Sequence, residues 1–195
     1  MDATGERDLI RAYLQRQSIV SLTRSVDDGS CTKAGVVPFT RGDGYRYYLL
    51  KPRGALPDLG DPPFQMCKGT RQFWTGSEWK DMRGIGLSAE QKETIAETAL
   101  REGIEELGLK LDNIDALFDM GMFAFSSATT GKPKSMWLFA AEMHDMDDFL
   151  PESATTQVTQ LRDWFELADF KVVGRPDHLY ILEQIEARRR EHFRE

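Results

Sequence analysis

Cysteine is scarce in this chain of 195 residues, which contains only Cys31 and Cys67. Two cysteines so far apart make neither a disulfide framework nor a thiolate metal site, which needs short and repeated spacing. We therefore expect both to be buried or half-buried thiols in a reducing cytosol. Disulfide-stabilised secreted folds and zinc-finger folds are disfavoured.

Long apolar runs and a positive net charge are also lacking. No uninterrupted apolar stretch approaches the roughly 20 residues that a membrane-spanning helix needs. Residues 1–18 are charged throughout, so we expect no secretory signal and a cytoplasmic location. The formal net charge is −7, which argues against nucleic acid or an anionic membrane as the main partner. Such a protein can still bind a phosphorylated compound if metal ions supply positive charge locally.

The length and composition are those of a single globular domain that is large enough to bury a hydrophobic core. Hydrophobic residues make up 41% of the sequence and charged residues 29%. We divide the chain into residues 1–30, an N-terminal helix and its lead-in, and residues 31–195, the main domain with a C-terminal helix.

The hydrophobic pattern predicts strands that alternate with helices. Helices are predicted over residues 7–17 and 177–194, with a long helix between them. Strands are predicted over residues 34–40, 45–51, 117–125, 136–143 and 161–167, the last running into a short helix. This order favours an α/β sandwich, in which a mixed sheet lies between helices.

The long helix is predicted to begin near Ala89 and to end at Gly108. Ser88-Ala89-Glu90-Gln91 has the form of a capping box, and glycine is a common residue after a helix. Gly103 inside the helix costs about 1 kcal/mol relative to alanine, which a closely packed strand would explain.

Two further segments have alternative interpretations. Phe73-Trp74 and Trp79-Lys80 flank a polar turn, which predicts a small hairpin. Its tryptophans either pack on the domain, which we favour, or stack on a nucleobase. The run Arg188-Arg189-Arg190 is expected to be solvated and not a nucleic-acid patch.

Three glutamates form the most informative pattern. Glu102, Glu105 and Glu106 share one face of the long helix, because residues three and four apart are neighbours there. We expect this face to point away from the sheet. Like charges so close raise each other's pKa unless a cation neutralises them. Hard divalent ions such as magnesium prefer oxygen ligands, so the pattern predicts a metal site.

The residues around these glutamates resemble the Nudix box. That pattern runs Gly, five residues, Glu, seven residues, Arg-Glu, aliphatic, any, Glu-Glu, any, Gly, aliphatic. The matching positions are Glu93, Arg101-Glu102, Glu105-Glu106 and Gly108-Leu109. Gly103 stands where an aliphatic residue is usual. The opening glycine is either Gly86, with one extra residue before Glu93, or Gly69, with residues 70–87 as an insertion.

The resemblance implies an α/β/α sandwich and a hydrolase that depends on Mg²⁺ or Mn²⁺. It would cleave the phosphoanhydride of a nucleoside diphosphate linked to another moiety, such as a dinucleoside polyphosphate, a nucleotide sugar or a nucleoside triphosphate. The implied metal ligands are Gly69, through its carbonyl, with Glu102, Glu105 and Glu106. Glu102 and Glu105 are the implied catalytic residues, Lys68 the substrate-binding residue, and Glu93 with Arg101 a structural brace.

One departure from the family keeps an alternative open. Many members add a late acidic residue shortly before a Trp-Phe or Trp-Val pair. Trp164-Phe165 matches that pair, but Gln157 and Gln160 occupy the expected positions. Asp163 and Glu142 are the nearest acidic substitutes. A Nudix-like module that binds a nucleotide without hydrolysing it is therefore the alternative, and the resemblance leaves a homodimer open.

Overall fold

The computed structural model describes residues 3–24, 30–41, 44–52, 63–82, 92–126, 130–145, 149 and 160–193. The helices are α1 (Ala3–Arg16), α2 (Ile95–Glu102), α3 (Leu167–Val173) and α4 (Pro176–Phe193). A π-helical turn (Gly103–Leu107) continues α2, and a 3-10 turn (Leu111–Asn113) follows it. The strands are β1 (Val20–Ser21), β2 (Lys33–Thr40), β3 (Arg46–Pro52), β4 (Gly69–Thr70), β5 (Gln72–Trp74), β6 (Trp79–Asp81), β7 (Ile114–Ser126), β8 (Pro133–Met143) and β9 (Gln160–Phe165).

Seven strands form one mixed sheet in the order β1-β7-β8-β2-β3-β9, with β4 paired to the start of β2. Side chains alternate between its two faces. Val36 packs with Ile10 of α1 and Leu100 of α2, whereas Val37 packs with residues of α3 and α4. The predicted α/β/α sandwich is confirmed, because helices cover both faces of the sheet. The boundary at residue 30 stays a prediction, since residues 25–29 lie outside the described ranges.

Strands β2 and β3 diverge, and the segment over residues 64–70 lies between them. The two strands pair where Phe39 and Thr40 meet Tyr47 and Arg46. Towards their other ends, Gln65 exchanges two backbone hydrogen bonds with Leu50, of 2.8 and 3.0 Å, and Gly69 pairs with Ala34. The Lys68-Gly69 loop is thus held by backbone pairing on both sides.

Helix α2 begins at Ile95, so the prediction of a start near Ala89 is wrong. Thr94 is the N-cap: its Oγ1 accepts a hydrogen bond from the Glu97 backbone N at 3.1 Å. Oε2 of Glu97 accepts one in return from the Thr94 backbone N at 2.6 Å. The sequence contains two possible capping boxes in succession, and this second box caps the helix. Ser88, Ala89 and Gln91 lie outside the described residues.

Both glycines near the end of the helix have a structural reason. A Cβ on Gly103 would lie 2.6 Å from Cγ1 of Val36 on β2, so the predicted close approach of a strand is confirmed. Gly108 has φ 72°, in the left-handed region, and ends the π-helical turn as predicted. A π turn holds more residues than an α turn, so Glu105 and Glu106 depart from pure α-helical spacing.

The predicted strands and the hairpin, now β5 and β6, are confirmed. The prediction of a solvated arginine run is wrong for two of its residues. Arg189 is fully buried, with its guanidinium 3.7 Å from the centre of the Phe39 ring, and Arg188 donates a hydrogen bond to the Met120 carbonyl. Helix α4 packs across the sheet, and long arginine side chains extend over the aromatic rings beneath it.

Both cysteines are buried free thiols, as predicted. Among the described helices, none is both long and apolar enough to cross a membrane.

Candidate functional site

A buried ion pair joins the start of α2 to its last turn. Nε of Arg101 lies 2.8 Å from Oε1 of Glu93, and Arg101 Nη2 donates to the Thr70 carbonyl at 3.0 Å. Oε2 of Glu93 accepts from the Gln72 backbone N at 2.9 Å. The pair predicted to brace the loop–helix junction therefore ties α2 to the residues that directly follow Gly69.

Arg7 of α1 is a third member of this network, and the sequence analysis missed it. Its Nη2 lies 3.1 Å from Oε1 of Glu93, and its guanidinium lies 4.0 Å from the centre of the Trp79 ring. Trp79 thus packs on the domain, as favoured above, and Trp74 is 37% exposed. No local pattern pairs two residues so distant in sequence, so only the fold identifies Arg7.

Glu102 and Gly69 lie against each other. A Cβ built on Gly69 would come within 1.8 Å of Oε1 of Glu102, so only glycine leaves room for this carboxylate. Glu102 is 8% exposed and lies beside β4. The expectation that all three glutamates point away from the sheet is therefore wrong for Glu102. The contact also favours Gly69 as the glycine that opens the box-like pattern; Gly86 lies outside the described residues.

The environment of Glu102 shifts its acidity. Burial raises the pKa of Glu102 to about 7, Arg101 lowers it, and the carboxylates of Glu106 and Glu105 raise it. Charge repulsion inside an acidic cluster was expected from the sequence. Burial is nevertheless the largest cause, because Glu102 packs against the backbone of β4.

The three carboxylates have cationic or N–H partners. Arg101 Nη1 lies 2.8 Å from both Oε1 of Glu102 and Oε2 of Glu105. The Lys68 backbone N donates to Oε2 of Glu106 at 3.2 Å. In the part of the chain that the structure describes, no group of three His, Cys, Asp or Glu side chains is placed to hold a metal ion.

Two observations nonetheless fit a divalent cation at this position. The donor set consists of carboxylates at the end of one helix, the oxygen ligands that Mg²⁺ and Mn²⁺ prefer. The space left by the missing Gly69 side chain admits the Glu102 carboxylate to the backbone of the Lys68-Gly69 loop. Arg101 supplies the neutralising charge in the observed conformation, and rotation about side-chain bonds would free Glu102 and Glu105.

Lys68 is half-buried beside this cluster. Burial lowers the pKa of Lys68 to about 8, Arg175 lowers it further, and Glu106 raises it. Lys132 and Lys134, on the other hand, are exposed. The structure therefore brings the predicted substrate-binding lysine next to the predicted metal ligands.

Glu142 does not lie near the glutamate cluster. It is opposite Phe39 of β2, whereas Gly69 is opposite Ala34, five residues away along the same strand. That separation is about 16 Å at the usual rise per residue. Glu142 instead forms an ion pair with Arg41.

Asp163 lies on the face of the sheet opposite to the glutamate cluster. Its neighbour Arg162 reaches the α2 side and donates to the Leu107 carbonyl at 2.5 Å. Successive side chains on a strand point to opposite faces, so Asp163 faces the α3 and α4 side. Neither acidic substitute joins the cluster, and Gln157 lies outside the described residues.

Comparison by sequence finds no matching family model and no matching curated protein. Comparison of structures finds a Caenorhabditis elegans Ap4A hydrolase in a binary complex, with 20% identity and TM-score 0.52, covering 80% of this chain and 94% of that one. The Nudix domain of Shewanella oneidensis NrtR, complexed with ADP-ribose, has 16% identity and TM-score 0.50, and the match covers 91% of this chain and 97% of that one. A Nudix hydrolase from Nitrosomonas europaea has 15% identity and TM-score 0.50, covering 81% and 90%. At such identities, these likenesses establish a shared fold.

Proposed function

We propose that this chain, which has the Nudix fold, is a pyrophosphohydrolase that requires Mg²⁺ or Mn²⁺. Its substrate is a nucleoside diphosphate linked to another moiety, and it cleaves the phosphoanhydride bond. The observation that carries this proposal is that three carboxylates meet the Lys68-Gly69 loop and Arg101. Glu102 lies against Gly69, Glu106 accepts from the Lys68 backbone N, and Glu105 shares Arg101 with Glu102. The neighbours named for Ap4A and for ADP-ribose support it, since both compounds contain such a bond.

Glu102, Glu105 and Glu106 would hold the cation, together with the carbonyl of Gly69. When bound, a divalent ion neutralises phosphate oxygens and lowers the pKa of a water molecule that attacks phosphorus. Arg101 keeps the Glu102 and Glu105 carboxylates close together in the absence of an ion. The pairing of Arg101 with Glu93 and Thr70 holds the helix end and the loop in one geometry, which reduces the cost of ordering the site.

Glu102 and Glu105 are our candidates for accepting the proton of the attacking water. A general base must lie within hydrogen-bond reach of the proton that it accepts, and both carboxylates lie at the helix end where the cation would bind. Lys68 is the candidate for contact with the substrate phosphates, because its backbone N already contacts Glu106.

A module that binds nucleotides without hydrolysing them is the second candidate. Glu142 and Asp163, the two acidic substitutes named from the sequence, both lie away from the glutamate cluster. The described residues thus supply fewer acidic ligands than a complete site would use. This observation favours weak or absent turnover.

The experiment is a hydrolysis panel with magnesium and, separately, with EDTA. The panel contains dinucleoside polyphosphates, nucleotide sugars, nucleoside triphosphates and inositol pyrophosphates. We expect release of phosphate or nucleoside monophosphate, and a loss of about 100-fold or more in Glu106→Gln. Glu183→Gln, an exposed site on α4, is the control and should keep the wild-type rate.

A different result would favour the second candidate. The binding module would be indicated if no compound of the panel is hydrolysed and nucleotides stabilise the protein in a magnesium-dependent way in a thermal-shift assay. Equal turnover in the wild type and Glu106→Gln would exclude the assigned metal ligands.

A further inference from the structure

Two cationic side chains converge on one neutral oxygen beside the glutamate cluster. Lys68 Nζ lies 3.4 Å from Oε1 of Gln65, and Arg175 Nη1 lies 3.3 Å from the same atom. An amide oxygen carries only a partial negative charge, whereas Lys68 and Arg175 are both cations, the latter already paired with Asp177. An anion in place of the amide oxygen would accept both hydrogen bonds as charge-assisted ones, which are stronger.

Arg175 is held in place from the opposite side. Its Nε and Nη2 donate to the two carboxylate oxygens of Asp177 at 3.0 and 2.7 Å, and its backbone N donates to the Phe64 carbonyl at 3.0 Å. This leaves Nη1 directed at Gln65. The side chain is 20% exposed, so a ligand can reach it from solvent. A fixed guanidinium whose Nη1 is bound only to a neutral amide oxygen suits the oxygens of a phosphate group, which could replace that amide.

Three cationic side chains and one carboxylate act on the imidazole of His178, which lies near the pair. His178 of α4 is fully buried, and its Nδ1 accepts a hydrogen bond from the Met66 backbone N at 3.0 Å. Burial lowers the pKa of His178 to about 3, and the positive charges of Lys68, Arg175 and Lys134 lower it as well, against the effect of Asp177. The imidazole is therefore neutral, mainly because it is buried, and the nearby cations contribute to the shift.

The pair is next to the proposed metal ligands. The backbone of Lys68 contacts Glu106, and Gly69 follows directly in the chain. A phosphate chain whose cleaved bond lies at the glutamates would therefore extend towards Lys68 and Arg175.

We propose that Lys68 and Arg175 form a subsite for a phosphate group beyond the diphosphate that is cleaved. The inference rests on the proposed function and narrows its substrate class. It favours compounds with three or more phosphates in a chain over a nucleoside diphosphate whose second substituent is a neutral sugar. Arg175 and Gln65 thus join Lys68 as residues that determine specificity.

The first test uses inorganic tripolyphosphate in EDTA, where no divalent metal contributes, with binding measured by calorimetry. We expect the wild type to bind and Arg175→Gln to bind about tenfold more weakly or worse, as the loss of a charged hydrogen bond implies. Arg175→Lys keeps the charge and should bind within a few-fold of the wild type. Arg46→Gln, which removes a half-exposed arginine paired with Glu166 at 3.6 Å, should match the wild type. Equal binding by the wild type and Arg175→Gln, or no binding by the wild type, would overturn the subsite.

The second test compares a nucleoside triphosphate with a nucleotide sugar in magnesium. We expect Arg175→Gln to raise KM about tenfold or more for the triphosphate and to leave KM for the nucleotide sugar nearly unchanged. Equal losses on both substrates would refute the subsite while leaving the hydrolase intact. Tripolyphosphate binding that depends on Arg175, in a protein that hydrolyses nothing, would support the subsite and refute the hydrolase.

Discussion

Arg101 and Glu93 form an ion pair in which both side chains are buried, with Nε 2.8 Å from Oε1. The pair closes a loop of unusual length, because 23 residues separate Gly69 from Glu93 where the Nudix pattern has five. Hydrogen bonds from Arg101 to Thr70 and from Gln72 to Glu93 bring the two ends of this loop together. The 23 intervening residues therefore do not separate Gly69 from Glu102.

Glu93→Gln should lower the free energy of unfolding by about 3–5 kcal/mol, because it leaves buried guanidinium groups without their carboxylate. Urea denaturation measures the change. Glu78→Gln is the control, since Glu78 pairs with Lys80 on the surface, and should cost less than about 1 kcal/mol. Similar values for the two variants would contradict the role of Glu93 as a brace.

Gly103→Ala should destabilise the fold by about 1–2 kcal/mol, because overpacking against Val36 outweighs the better helix propensity of alanine. The double variant with Val36→Ala removes the methyl group that the new Cβ would meet at 2.6 Å. A double-mutant cycle in urea should show favourable coupling between the two sites. Strict additivity would show that the helix–strand contact does not require glycine.

Gly69→Ala should weaken metal binding while leaving stability nearly unchanged, unlike Gly103→Ala. The three atoms nearest to its methyl group belong to the end of the flexible Glu102 side chain, so we expect the free energy of unfolding to change by less than about 1 kcal/mol. The Glu102 carboxylate must move away, which should weaken Mn²⁺ binding about tenfold or more. Wild-type affinity for Mn²⁺ in this variant would separate Gly69 from the metal site.

The stability of the metal-free protein should depend on Glu102 at mildly acidic pH. The pKa of Glu102 is about 7 when folded, against an ordinary value of 4.5, so the folded chain binds an extra proton between these values. This stabilising contribution is complete below about pH 4.5 and is lost as the pH rises through about 7, by up to about 3 kcal/mol. Urea unfolding in EDTA across this range should show the decline in the wild type relative to Glu102→Gln. Parallel curves for the two proteins would contradict the shift.

The sequence was informative wherever local pattern determines structure. Strand and helix periodicity predicted the layers of the sandwich. The spacing of Glu102, Glu105 and Glu106 predicted that their carboxylates lie together at one helix end. The start of α2 was misplaced because two capping patterns follow each other, and only tertiary packing selects Thr94. Arg7, Arg175 and Arg189 could not be predicted, because each acts on partners that are distant in sequence and meet only in the folded chain.

The most direct measurement counts bound Mn²⁺ by electron paramagnetic resonance in the wild type, Glu106→Gln and the control Glu183→Gln. We predict that the wild type and the control bind Mn²⁺ with the same affinity and that Glu106→Gln binds about 10–100-fold more weakly. Equal binding by all three proteins would contradict the assignment of these glutamates as the metal site.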